Sequence, residues 1–147
     1  MDNSVKPTPA RLRALPSWVI NQAALTANRL TDRVFADMGS RRYNFAMLAA
    51  LDEFGPSSQA DLGRCTGIDR SDVVAAVSEL VEQGYLDRSP DPTDGRRNIV
   101  TLTPAGKQHL ERLDAHLTHA QSHLMRSLSP AEAKTVVELL ARVLDEH

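Results

Sequence analysis

A mainly α fold with one small β-hairpin is predicted by three observations. Apolar residues recur at helical spacing on both sides of the chain, strand-like residues replace that pattern after Gly84, and Ser89 to Arg97 interrupts the strands with turn formers. The stretch Ile68 to Thr103, a short amphipathic helix running into an Arg-tipped hairpin, is the centre that the other elements serve. A helix beside a β-arm is a shape that enters DNA grooves.

The totals set bounds on this reading. A chain of 147 residues suits one domain, and 41% hydrophobic with 24% charged residues matches ordinary folded proteins. A single cysteine, Cys65, excludes an internal disulfide, and the lack of a long apolar run or charged leader points to the cytoplasm, with no membrane partner. Net charge is −2, so any nucleic-acid binding must come from local charge. Residues 1–50 carry seven Lys or Arg against three Asp, whereas 58–107 carry six against eight acids. Acids in that second segment must point away from phosphate or hold arginines in place.

In chain order, residues 1–9 hold two prolines and little apolar matter, so a flexible arm is expected over 1–13. From Pro16 a long helix carries Val19, Ala23, Leu30 and Val34, widened by Trp18 and Leu25, until Gly39 stops it. Tyr43 to Phe54 is a nearly all-apolar core helix closed by Gly55-Pro56. Ser58 to Asp61 reads as a helix start leading to Cys65, with Thr66-Gly67 as the turn. Asp69 caps the next helix, whose expected buried positions are Val73, Val74, Val77, Leu80 and Val81.

Tyr85 to Arg88 and Asn98 to Leu102 then read as an antiparallel pair. Thr103-Pro104 opens a helix with a leucine seam from Leu110 to Leu128, and Ser129-Pro130-Ala131-Glu132 opens the last helix, bearing Val136, Val137, Leu140, Val143 and Leu144. No repeat or low-complexity segment is present.

Two helices joined at a glycine turn and followed by a β-arm form a winged helix-turn-helix, whose second helix fits the major groove. Within it, Asp91-Pro92-Thr93-Asp94-Gly95-Arg96-Arg97 and Val100-Thr101-Leu102-Thr103-Pro104-Ala105-Gly106 resemble the MarR family of bacterial transcriptional regulators over about residues 15–145. The resemblance implies a homodimer joined by its first and last helices. It divides the chain into the arm, a helical dimerisation region over 14–39 and 104–147, and a DNA-binding domain over 40–103. It also implies that Arg96 enters the minor groove while Asp94 holds its guanidinium, with Arg97 as an extra cation for phosphate.

Placement on the unit supplies the remaining DNA candidates. Arg70 and Ser71 open the reading helix, Ser58, Gln59 and Arg64 lie on the helix before it, and Arg88 stands at the wing base. The family's ligand pocket, between the first two helices and the start of the long one, would bring Trp18, Asn21, Gln22, Tyr43, Asn44 and Met47 near a small aromatic or phenolic effector.

Other chemistry finds little support in the residues. Cys65, beside Leu62 and Ile68, reads as a buried structural thiol, and the family's reactive cysteine near the start of the first helix has no counterpart here. His109, His116, His119 and His123 share spacing that could chelate zinc, yet no carboxylate or second cysteine completes a site, so a solvated polar stripe and no metal or cofactor are expected. No phosphate-binding glycine loop, H-E-x-x-H or G-x-S-x-G occurs, which argues against an enzyme. The resulting expectation is a dimeric repressor on a pseudo-palindromic operator of double-stranded DNA, released by a small molecule. A winged-helix module that docks proteins without reading DNA is the alternative left open by the acidic balance of 58–107.

Overall fold

Helix signals in the chain translate directly into the architecture of the computed structural model, which describes residues 5–147. Of the arm expected over 1–13, residues 1–4 lie outside the described ones. Ala10–Arg13 winds into a single turn, α1, behind Pro9, whose φ of −54° already suits a helix entry. Helix α2 (Pro16–Asp37) has proline in its first turn, and Gly39, at φ 64°, reverses the chain so that the Ser40 amide closes on the Phe35 carbonyl at 2.8 Å. Helix α3 (Arg42–Phe54) is followed by the two-residue strand β1 (Ser57–Ser58).

Helices α4 (Gln59–Thr66) and α5 (Arg70–Glu82) meet at Gly67, left-handed at φ 69°. Strands β2 (Leu86–Pro90) and β3 (Asn98–Leu102) form the arm, paired from Leu86 with Leu102 to Pro90 with Asn98. β1 adds to the other edge of β3, with Ser57 opposite Val100 and Ser58 opposite Ile99, in the order β1-β3-β2. This third strand has no sequence signature, because two serines offer no alternation to read.

Helix α6 (Pro104–Leu124) stops one turn before the expected Leu128, where residues 125–128 turn the chain into α7 (Pro130–Asp145). The Ser129–Glu132 capping box sets that second start, so the leucine seam breaks to let α7 begin.

Apolar faces of α3, α4, α5 and α6 enclose one core with the base of the arm. Met47, Leu48, Val77, Leu80, Val100 and Leu113 are sealed from water. Gly106 lets α6 lie against the arm's base: a Cβ there would collide with the Tyr85 carbonyl oxygen and crowd Leu102. One expectation about the burial of α5 is corrected. Val74, expected in the core, is 41% exposed on the outward face of α5. A thirteen-residue helix packed on one side turns only a stripe inward, and Val73, Ala76, Val77 and Leu80 already fill it.

Helix α7 buries nothing within the chain, leaving Val137, Leu140, Val143 and Leu144 in solvent, and Val19, Ile20 and Leu25 of α2 are likewise exposed. Among the described residues, no helix is long and apolar enough to cross a membrane.

Candidate nucleic-acid interface

The arm meets the helix-turn-helix at two places, Arg97 beside Asp61 of α4 and Arg88 beside Ser78 of α5, and both helices have capped starts. Ser58 caps α4, its Oγ accepting from the Asp61 amide at 3.1 Å, and Asp69 caps α5, accepting from the Ser71 amide at 3.2 Å and the Ser71 hydroxyl at 2.6 Å. Hydrogen bonds from Ser71, the side chain foremost, hold the Asp69 carboxyl below its ordinary range. The Ser71 hydroxyl hydrogen is therefore engaged in the cap. Ser58 is buried and its Oγ accepts at the helix start, so its side chain faces inward and only the backbone amides of that turn are left for phosphate. The same capping chemistry that made it visible in sequence turns it inward.

The arm's tip is a closed loop. The Asp91 amide donates to the Arg97 carbonyl at 2.8 Å, and the Arg97 amide donates to the Asp94 carbonyl at 3.0 Å. Each aspartate folds back on the backbone two residues ahead: Asp91 Oδ1 accepts from the Thr93 amide and hydroxyl, both at 2.8 Å, and Asp94 Oδ1 accepts from the Arg96 amide at 3.0 Å. Those bonds, the Thr93 amide first, hold the Asp91 carboxyl below its usual range. Asp94 thus grips the main chain of Arg96, in place of the expected grip on its guanidinium. A short carboxylate reaches an amide two residues on more readily than the far end of a long side chain.

Arg96 and Arg70 are exposed and, among the described residues, form no ion pair. Arg64 and Arg97 both pair with Asp61, Arg97 Nη2 lying 3.8 Å from Asp61 Oδ2. Gln59 is half-buried in the first turn of α4, and Arg88 on β2 lies 3.5 Å from the Ser78 hydroxyl of α5. Val74, one turn beyond Arg70, adds an apolar spot to the same outward face, a feature that periodicity had assigned to the core.

A helix-turn-helix braced by a three-stranded sheet, with free cations on both helix and arm, agrees with comparisons to known proteins. Residues 40–97 match a model described as MarR family. A probable transcriptional regulator from Pseudomonas aeruginosa superposes with a TM-score of 0.82 at 34% identity, covering 90% of this chain and 99% of that one. The chain belongs to the MarR family.

Within that family, NicR of Pseudomonas putida, a transcriptional repressor, is 34% identical over 101 residues, which span 69% of this chain and 64% of NicR. The chain therefore matches somewhat under two thirds of that relative's length. BpsR of Bordetella bronchiseptica, whose DNA binding is regulated by 6-hydroxynicotinic acid, superposes with a TM-score of 0.78 at 27% identity, covering 86% of this chain and 96% of BpsR.

The residues expected to line a MarR-type ligand pocket do not converge within the chain. Met47 and Asn44 are buried; Met47 is packed in the core, while Asn44 Nδ2 donates to Glu79 Oε2 at 3.2 Å. Trp18 is half-buried, and Asn21 and Gln22 are exposed on the first half of α2. A cleft of about 540 Å³ opens instead beside the last turns of α2, lined by Phe35, Ser40, Arg41, Tyr43, Asn44 and Glu79 among others. At 1.5 Å of rise per residue, Gln22 lies about 20 Å along α2 from Phe35. Of the six expected residues, Tyr43 and Asn44 reach the cleft. Ser40, whose buried Oγ has no partner among the described residues, and Arg41, 3.7 Å from Glu79, were missed; only the adjacent Arg41-Arg42 pair hinted at them.

The histidines also part company. His109, expected on a solvated stripe, is buried at the base of the arm with its ring stacked on Tyr85, centroids 4.1 Å apart. Gly106, one turn earlier, brings that face of α6 against Tyr85. Burial first, then the Arg112 charge, push the His109 pKa down. His116 and His119 line a shallow cleft between α2 and α6 beside Asp37. Among the described residues, no three His, Cys, Asp or Glu side chains gather as a metal site. Cys65, expected buried, is an exposed free thiol, because Leu62 alone of α4 is fully turned to the core.

Proposed function

We propose that this MarR-family chain is a homodimeric repressor that binds a pseudo-palindromic operator and is released by a small aromatic ligand. The observation that carries the DNA reading is the pair of exposed cations without ion-pair partners among the described residues, Arg70 at the start of α5 and Arg96 on a hydrogen-bonded arm. In this reading α5 lies in the major groove. Arg70 faces phosphate or a guanine edge, Val74 offers methyl groups to thymine, and Arg96 enters the minor groove, where narrow stretches attract arginine. Arg97 and Arg64 face phosphate where the tip of the arm approaches α4.

The exposed apolar faces of α2 and α7 support the dimer, since patches of that kind on paired helices mark interaction surfaces. A two-fold pair of reading heads about one DNA turn apart then calls for a pseudo-palindrome. NicR, a repressor, and BpsR, regulated by 6-hydroxynicotinic acid, support repression relieved by a small aromatic molecule. The cleft between α2, α3 and α5 touches both the helix of the proposed dimer and the reading helix. A ligand that prefers one spacing of the heads shifts the population by its differential affinity.

The test is retention of the chain's own promoter fragment at low salt, with steep loss of affinity as salt rises. Arg96→Ala is expected to weaken binding by about 1–3 kcal/mol and to relax preference at the minor-groove position. A wild-type protein that holds neither promoter nor generic duplex refutes the DNA reading.

A further inference from the structure

Asp61 sits where the arm meets the first helix of the helix-turn-helix. Register brings them together: β1 ends at Ser58 opposite Ile99, so the start of α4 is hydrogen-bonded to the strand that rises from the arm's tip. From the first turn of α4, the Asp61 carboxylate bonds Arg64 through Oδ1 and lies 3.8 Å from Arg97 through Oδ2. One anion thus holds two cations, one on the helix and one on the arm. All three side chains are about half or more exposed, at 52%, 70% and 48%. Solvent and phosphate therefore have access to the whole unit.

An acid in the first turn of a helix is favoured by the helix dipole, and that accounts for Asp61 without Arg97. It does not account for the arm reaching back to it. The tip is already closed by its own hydrogen bonds, so the Arg97 contact fixes where the tip stands relative to α4 rather than its internal shape.

We infer that Asp61 is a positioning residue for DNA recognition: by holding Arg64 and Arg97 together it presets the spacing between arm and helix, and thereby raises the preference for operator over generic DNA. The inference rests on the DNA-binding reading above. Two long cations ordered before binding lose less freedom when they meet phosphates in one fixed pose. Generic duplex, bound in many poses, gains little from that order and is repelled by the carboxylate's charge. The acid consequently favours the specific complex twice, by ordering it and by weakening its competitor. The Ser58 hydroxyl first, then Arg64 and Arg97, hold the carboxyl below its ordinary range, so it stays ionised wherever the protein binds DNA.

Asp61→Asn keeps the backbone amide that bonds Ser58 Oγ and removes the charge. Titration of wild type and variant with operator and with a scrambled duplex, over a series of salt concentrations, gives the operator-to-scrambled affinity ratio and both salt slopes. The ratio is expected to fall by roughly twofold to fivefold, the size of an exposed ion-pair effect, and the scrambled-duplex slope to steepen by about 1 as a freed cation finds phosphate.

Asp61→Glu, which restores the charge, should recover the ratio, and Asp61→Asn should change it no further in an Arg64→Ala/Arg97→Ala background. Equal tightening on both duplexes would make Asp61 a simple repellent and overturn the inference, as would an unchanged ratio with unchanged slopes. A wild type that binds neither duplex refutes the DNA reading itself, which separates the two failures.

Discussion

Replacing Gly106 by alanine adds one methyl group at the point where α6 rests on the base of the arm, directly against the Tyr85 carbonyl oxygen. That carbonyl is not free to retreat. It accepts from the Thr103 amide at 3.2 Å, and the Tyr85 amide is tied to the Leu80 carbonyl at 2.9 Å. Overpacking of this kind costs about 1–3 kcal/mol, and a backbone obstacle places it at the upper end, about 3. Alanine returns at most about 1 kcal/mol through its better helix propensity.

The net is about 2 kcal/mol of destabilisation, or a Tm lower by about 4–8 °C for a domain of this size. Calorimetry of wild type and Gly106→Ala under one buffer condition reads it directly. The sign is the discriminating result, because alanine for glycine in an unobstructed helix raises stability. An unchanged or higher Tm would refute the close packing of α6 against the arm.

Two further outcomes follow from the same structure. His109 has a folded-state pKa below the usual 6.5, so the fold favours its neutral ring; that contribution is complete above the usual value and is lost as pH falls through it. His109→Phe keeps a ring for Tyr85 and should flatten the loss of Tm between about pH 7 and about pH 5; an equal loss in both proteins would show that the ring titrates freely. Leu140, on the exposed face of α7, is expected to be covered in the proposed homodimer. Leu140→Asp should sediment as a monomer and lose the operator, and a wild type that is itself monomeric would sink the proposed architecture.

The helical elements and the arm were legible because their signals are local. Asp69, Ser129 and Glu132 announce helix starts, Gly55 and Gly67 announce reversals, and the turn formers between Pro90 and Gly95 announce the arm. Less was legible of the candidate site. Arg70 and Arg96 could be picked out by position on those elements, yet the anion that organises Arg64 and Arg97 could not, since Asp61 and Arg97 are far apart in the chain and meet only through the pairing of β1 with β3. The cleft beside α5 was equally hidden, for Ser40 and Glu79 approach one another only when α2, α3 and α5 pack.

By itself, then, the sequence determined the order and type of the elements, the cap residues and the residues that a MarR-type arm would expose, since each depends on neighbours within a few positions. Tertiary structure decided which face of each element is dry and which charges meet. Helical periodicity marks an apolar stripe but not its width, so Val74 and His109 exchanged their expected places. Charge counting likewise found acids among the candidate DNA-binding cations without saying where they point, and folding directs Asp61, Asp69, Asp91 and Asp94 onto arginines, helix ends and turn amides. Arg70 and Arg96 thereby stay exposed in a segment, 58–107, whose net charge is not basic.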